Sequence, residues 1–181
     1  GVKNENIVAA LTTFFPSFAQ TPGRLTMMDM GEFKVFTDFA HNVASYKGLG
    51  EFVKSMNAKK SIATLCMPGD RQIEDFEAVA KLAAETYDEV VLFEGYQRGK
   101  PDGYISSTLE KYLIKHGMDS SNIDIIFDEH KAVQQVLDNA NEGDLIVLSN
   151  YDINGIQKRI ADHKEMLDKK ATLESAKREM A

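Results

Sequence analysis

Four short apolar runs, at residues 61–66, 89–93, 123–127 and 145–149, dominate this chain of 181 residues. The first three each lead into an amphipathic helical run of the next segment, and the fourth leads into a final helix. Short buried strands alternating with helices predict an α/β fold built on a doubly wound, mostly parallel, Rossmann-like sheet. Two further runs near the start, around Met30-Gly31-Glu32, predict an antiparallel hairpin strand at its edge. Neither an internal repeat nor a low-complexity linker interrupts the pattern, so one domain is expected.

Each element follows from its residues. Asn4 is placed to cap a first helix reaching Thr13, with Ile7, Val8 and Leu11 on one face. Residues 14–23, holding Pro16 and Pro22, read as an extended connector. Residues 25–29 and 33–38 form the arms of the hairpin. Val43, Tyr46, Gly50 and Val53 then recur at helical spacing. Ile73, Phe76, Val79, Ala80 and Ala83 mark the next helix, for which Asp70 is the expected N-cap. Ile105, Leu109, Tyr112 and Leu113 mark another, and Val133, Val136, Leu137 and Ala140 one more. Asp152 is the expected cap of the last helix, where Ile156, Ile160 and Leu167 keep the period. Residues 164–178 mix both charge signs, which reads as a solvated helix end, with a partner-binding helix as the alternative. The domain core is expected at residues 7–160 and the charged helix at 161–181.

Composition narrows the function. Hydrophobic residues make up 43% and charged residues 27%, ordinary for a globular chain. A formal charge of -7 and a pI near 5.1 argue against nucleic-acid binding, which depends on Lys and Arg neutralising phosphates. Cys66 is the single cysteine, which excludes an internal disulfide and a cysteine-based zinc site and fits a reducing cytoplasm. No apolar run approaches the roughly 20 residues of a membrane span. Gly1 stands where an initiator Met would be, so the chain is expected to be a piece of a longer protein.

The chemistry gathers where strands end. Asp38-Phe39-Ala40-His41-Asn42 presents a carboxylate, an imidazole and an amide at the carboxyl edge of the sheet, where open α/β sheets bind ligands. The plainer alternative is that Asp38 caps the following helix and His41 is a buried polar residue. Pro22-Gly23-Arg24 enters the hairpin whose return strand ends in Asp38, which brings an arginine toward the same edge. Pro68-Gly69-Asp70-Arg71 opens a helix whose N-terminal N–H groups favour anions. Gly95-Tyr96-Gln97-Arg98-Gly99-Lys100-Pro101 is not a phosphate loop: three residues separate its glycines instead of four, and Pro101 stands where Ser or Thr is required. From its residues alone it reads as an exposed basic turn. His116, His130 and His163 are expected on helix ends or polar faces, without chemistry. No metal-ligand spacing and no Ser-His-Asp arrangement stands out.

The segment Asp38-Phe39-Ala40-His41-Asn42 resembles the Asp-Tyr-Ala-His-Asn-Pro signature of the C-terminal domain of Mur-type ligases, ATP-dependent enzymes that join an amino acid to a carboxylate. The Gly69-Asp70-Arg71 block, the loop of Arg98 and Lys100, and Glu142-Gly143-Asp144 before the last strand resemble elements of the same domain, in its order, closest to the cyanophycin synthetase type. Phe39 departs from the usual Tyr and Val43 from the usual Pro. The resemblance implies that Arg24, Asp38, His41 and Asn42 contact ATP, and that Arg71 and Arg98 face the amino-acid or peptide substrate. It also implies that the phosphate loop, the Mg ligands and the catalytic residues sit in an upstream ATPase domain, with this chain as a lid. The lid would keep water from an acyl phosphate while the amine attacks. A non-catalytic nucleotide- or partner-binding module and a peptidoglycan-precursor ligase domain stay open as alternatives. A receiver-type signalling domain is disfavoured, because its acidic cluster and late-strand Lys are missing.

Overall fold

The computed structural model describes residues 1–14 and 20–179. The expected connector therefore lies partly outside the described residues, with Pro16 among those left undescribed. Six strands form one sheet: β1 (Thr26–Asp29), β2 (Lys34–Asp38), β3 (Lys60–Leu65), β4 (Glu89–Leu92), β5 (Ile123–Ile125) and β6 (Asp144–Ser149). Their order is β1-β2-β6-β3-β4-β5, with β1 antiparallel to β2 and every other pair parallel. The expected fold class is the one observed.

Among the described residues there are six α-helices, α1 (Asn4–Thr13), α2 (Val43–Ser55), α3 (Ile73–Ala84), α4 (Tyr104–Lys115), α5 (Glu129–Asp138) and α6 (Ile153–Glu179), and a short 3-10 turn at Ser120–Asn122. The connections through α2, α3 and α4 run one way along the sheet. The connection through α5 runs back to insert β6 between β2 and β3. Right-handed crossovers then put α2, α3 and α4 on one face and α5 on the other, and the packing agrees: α2 lies on α3, α3 on α4, and α5 on α6. The central strands β6 and β3 are buried along nearly their whole length, which is why they read as unbroken apolar runs.

Several local expectations change. The N-cap of α1 is Lys3, without a side-chain bond, and Ile7, Val8 and Leu11 are exposed rather than packed. Gln72, not Asp70, is the N-cap of α3; the chain makes an extra turn after Pro68 before the helix begins, leaving Asp70 exposed and Ile73 43% exposed. Ala140 lies beyond α5, which ends at Asp138. His163 is buried rather than on a polar face, because α6 lays that turn over Phe33, whose ring centroid is 6.4 Å away. Asp152 does cap α6, its Oδ1 accepting the Gly155 N–H at 3.0 Å. The charged segment from 161 continues α6 without a break as far as Glu179.

Candidate functional site

The inserted strand creates the crevice. The chain leaves β6 toward α6 on one face of the sheet, while it leaves β2 and β3 toward α2 and α3 on the other. Backbones that part in this way open a gap at the carboxyl ends of β2, β6 and β3, the place where such sheets take ligands.

Antiparallel pairing of Thr26 with Thr37 brings the start of β1, and with it Arg24, to the end of β2 where Asp38 lies. Two bonds close this corner: Phe39 N–H to the Gly23 carbonyl at 2.9 Å, and Leu25 N–H to Asp38 Oδ2 at 2.9 Å. The Arg24 guanidinium rests 5.1 Å from the centroid of the Phe39 ring, a cation–π contact. His41 is 5.2 Å from the same ring, and its Nδ1 bonds the Phe39 carbonyl at 2.9 Å, which leaves Nε2 as its second polar atom. Burial pushes the Asp38 carboxyl above its ordinary value, although the Leu25 N–H, Arg24 and His41 all pull the other way. An ionised Asp38 is thus incompletely compensated by the chain's own groups.

Asp38 does not cap α2, contrary to the plainer alternative. Asn42 does, in a reciprocal capping box: its Oδ1 accepts the Ser45 N–H at 2.9 Å, and Ser45 Oγ accepts the Asn42 N–H at 3.3 Å. Asn42 has therefore committed its acceptor oxygen to the helix.

The other predicted arginines reach the same edge from the opposite side of the crevice. Arg71 follows β3 in an exposed turn, its N–H bonded to the Pro68 carbonyl at 3.2 Å. Arg98 follows β4, with backbone in the left-handed region (φ 51°) and its guanidinium 5.1 Å from the Tyr96 ring centroid. Gly69 N–H bonds the Tyr96 carbonyl at 2.8 Å and clamps the two loops together. Only glycine fits there: a Cβ on Gly69 would lie 2.1 Å from the Gln97 carbonyl oxygen. No carboxylate forms an ion pair with Arg24, Arg71 or Arg98 among the described residues; the pairs that exist lie elsewhere, such as Lys115–Glu77 and Lys158–Asp162. In a chain of net charge -7, three arginines without a close ion pair among the described residues give this edge a local basic character.

Sequence reading missed the residue at the centre. Tyr151, two positions past the end of β6, puts its ring among Phe39 (5.4 Å between centroids), Tyr96 (4.7 Å) and Phe93 (6.1 Å), edge to face with each. Its N–H is held by Glu129 Oε1 at 2.7 Å. Its hydroxyl is enclosed beside the Cys66 thiol, and both side-chain polar atoms of Asn150 and Oε2 of Glu94 are buried without a hydrogen-bond partner among the described residues. An aromatic directly after a buried strand was the available signal.

Cavities of about 460 Å³ between α5 and α6, and about 330 Å³ beside β4 and β5, lie away from these residues. The described residues contain no group of three or more His, Cys, Asp or Glu able to hold a metal, and no helix long and apolar enough to cross a membrane.

Comparison with known proteins agrees with the fold. The family model for the Mur ligase, glutamate ligase domain matches residues 23–149. Cyanophycin synthetase of Trichormus variabilis is 37% identical over 148 residues, 81% of this chain and 16% of that protein. UDP-N-acetylmuramyl-tripeptide synthetase of Latilactobacillus sakei is 29% identical over 143 residues, 77% of this chain and 27% of that protein. Among solved structures, the bifunctional folylpolyglutamate synthase/dihydrofolate synthase of Yersinia pestis, complexed with AMPPNP and Mn ion, shares the fold with a TM-score of 0.66 and 19% identity. That match covers 90% of this chain and 35% of that one. The chain thus spans less than a third of the length of the curated relatives described.

Proposed function

The chain belongs to the Mur ligase family as its C-terminal domain, and on that premise we propose that it is the lid of an ATP-dependent amide ligase of the cyanophycin synthetase type. One observation carries the reading: the Arg24–Asp38 corner and the clamped loops of Arg71 and Arg98 follow strands that end at one sheet edge, with Arg24 and Arg98 each resting on an aromatic ring.

The residues fit a nucleotide. Asp38, half-buried and under-compensated, is suited to accept hydrogen bonds from a ribose, and Arg24 beside it suits phosphate oxygens. His41 Nε2 adds a further polar contact, while Asn42 holds the helix that positions them. Bound ATP supplies the phosphoryl group that activates a substrate carboxylate, with Mg held by the preceding domain of the full-length protein. Arg98, and Arg71 beside it, present forks suited to the carboxylate of the incoming amino acid. The open, uncovered edge fits a surface that closes on another domain and excludes water from the activated acyl group.

Steady-state kinetics on the full-length protein tests this, varying ATP and amino acid separately. Arg24→Ala should raise the ATP requirement roughly 10- to 150-fold, the equivalent of losing a charged hydrogen bond of about 1.5–3 kcal/mol. Arg98→Ala should raise only the amino-acid requirement. Unchanged kinetics in both variants would overturn the lid reading.

A further inference from the structure

The two arginines assigned to different ligands are joined by an unbroken line of ring contacts. Arg24 lies on Phe39 at 5.1 Å, Phe39 meets Tyr151 at 5.4 Å, Tyr151 meets Tyr96 at 4.7 Å, and Arg98 lies on Tyr96 at 5.1 Å. Both ring–ring contacts are edge to face, at 83° and 77°. This geometry depends on orientation, so one ring turning changes the seat of the next. Phe39 and Tyr96 belong to loops after β2 and β4, with two strands between them. Tyr151, at the end of β6, is the ring that touches both.

Three features fix Tyr151 in this place. Glu129 holds its backbone N–H. The crevice at the end of β6 receives its ring, because the backbones on either side part to opposite faces. Gly95 leaves the room: a Cβ there would come within 2.9 Å of the Tyr151 ring and 2.8 Å of Cys66 Sγ. The tyrosine hydroxyl lies beside the Cys66 thiol, away from both arginines' rings, so the line between the two corners runs through the aromatic ring.

We infer that Tyr151 is a positioning residue that couples the Arg24–Asp38 corner to the Arg98 loop, so that filling one subsite biases the geometry of the other. The functional sense of this coupling rests on the lid reading above, in which Arg24 serves ATP and Arg98 the amine. Coupling of this kind travels through contiguous packed groups, and the ring line is the continuous path joining the two corners.

The test needs no ligand and so stands apart from the kinetics. Arginine Nε–Hε resonances are recorded by NMR on the 181-residue chain, with Arg159 as a control on α6. Arg24→Ala should displace the Arg98 resonance, and Tyr151→Phe should leave that displacement intact. In a Tyr151→Leu background, or in Phe39→Leu should the first fail to fold, Arg24→Ala should no longer move Arg98. A role in packing alone would lower the melting temperature of Tyr151→Leu yet leave the Arg24-to-Arg98 response in place, and that result overturns the inference. So does an Arg98 resonance that ignores Arg24→Ala in the parent chain. Intact NMR coupling with unchanged ligase kinetics would instead fault the lid reading and spare the ring line.

Discussion

Asp38 holds Leu25 in an unfavourable backbone conformation: its Oδ2 accepts the Leu25 N–H at 2.9 Å, and Leu25 has a φ of 42°. A left-handed leucine costs about 1–2 kcal/mol. The bond that offsets this cost also turns Arg24 onto Phe39, so one carboxylate both shapes the corner and remains available within it.

Replacing Asp38 separates these roles. Burial raises the Asp38 pKa, so its contribution to stability is present below the ordinary value of 3.8 and is lost as pH rises through the folded value. At neutral pH its ionised form opposes folding. Asp38→Asn keeps an acceptor for Leu25 and removes the charge, so the chain should be as stable or more stable at pH 7 by urea denaturation. In the full-length enzyme the same change should raise the ATP requirement about 10-fold or more. A loss of stability with unaltered ATP dependence would make Asp38 purely structural.

Asn42 is expected to act through its cap. Asn42→Ala should cost about 1 kcal/mol of stability, and Asn42→Ser, which also caps, should recover most of it. Thermal denaturation of the three proteins decides the matter.

Gly69 should tolerate nothing larger. A Cβ 2.1 Å from the Gln97 carbonyl forces the clamped loops apart, so Gly69→Ala should destabilise by about 1–3 kcal/mol and loosen Arg71 and Arg98 together. Denaturation gives the first effect and amino-acid dependence of the full-length ligase the second.

Acid should weaken the packing of α6. Burial lowers the His163 pKa from 6.5, with Asp138 partly opposing it. The folded state then binds its proton less readily than the unfolded chain, so stability is lost as pH falls below about 6.5 toward the folded value. His163→Leu should flatten the stability profile between pH 7 and 5. An unchanged slope would place the titration elsewhere.

The isolated chain should release no phosphate from ATP, since its one glycine- and lysine-containing turn lacks the spacing and the Ser or Thr of a phosphate loop. Turnover by the purified chain that an Arg24→Ala variant lacks would show that the chemistry lies within it.

Local chemistry was legible in the residues. Short apolar runs marked the strands and 3.6-residue spacing marked the α-helices, because strands covered on both faces read as continuous apolar stretches and helices bury one stripe. Loops such as Pro22-Gly23-Arg24 and Pro68-Gly69-Asp70-Arg71 announced themselves by residues that turn the chain at strand ends. Helix starts were harder: Asp70 is the better cap for α3 by residue type, yet the helix begins after Gln72, which makes no side-chain cap bond. The apolar spacing of α1 gave no warning that Ile7, Val8 and Leu11 would be exposed, because periodicity names a face and not what covers it.

By itself, then, the sequence determined the α/β class, the hairpin, and which side chains stand at the ends of strands, since these follow from near neighbours in the chain. Tertiary structure alone decided that β6 lies between β2 and β3, that Tyr151 sits at the end of β6 among the rings of Phe39, Phe93 and Tyr96, and that His163 is buried on the face of α6 that packs on Phe33. Those outcomes depend on contacts between residues dozens of positions apart, where right-handed crossovers and the burial of whole faces choose among arrangements that local patterns leave equal.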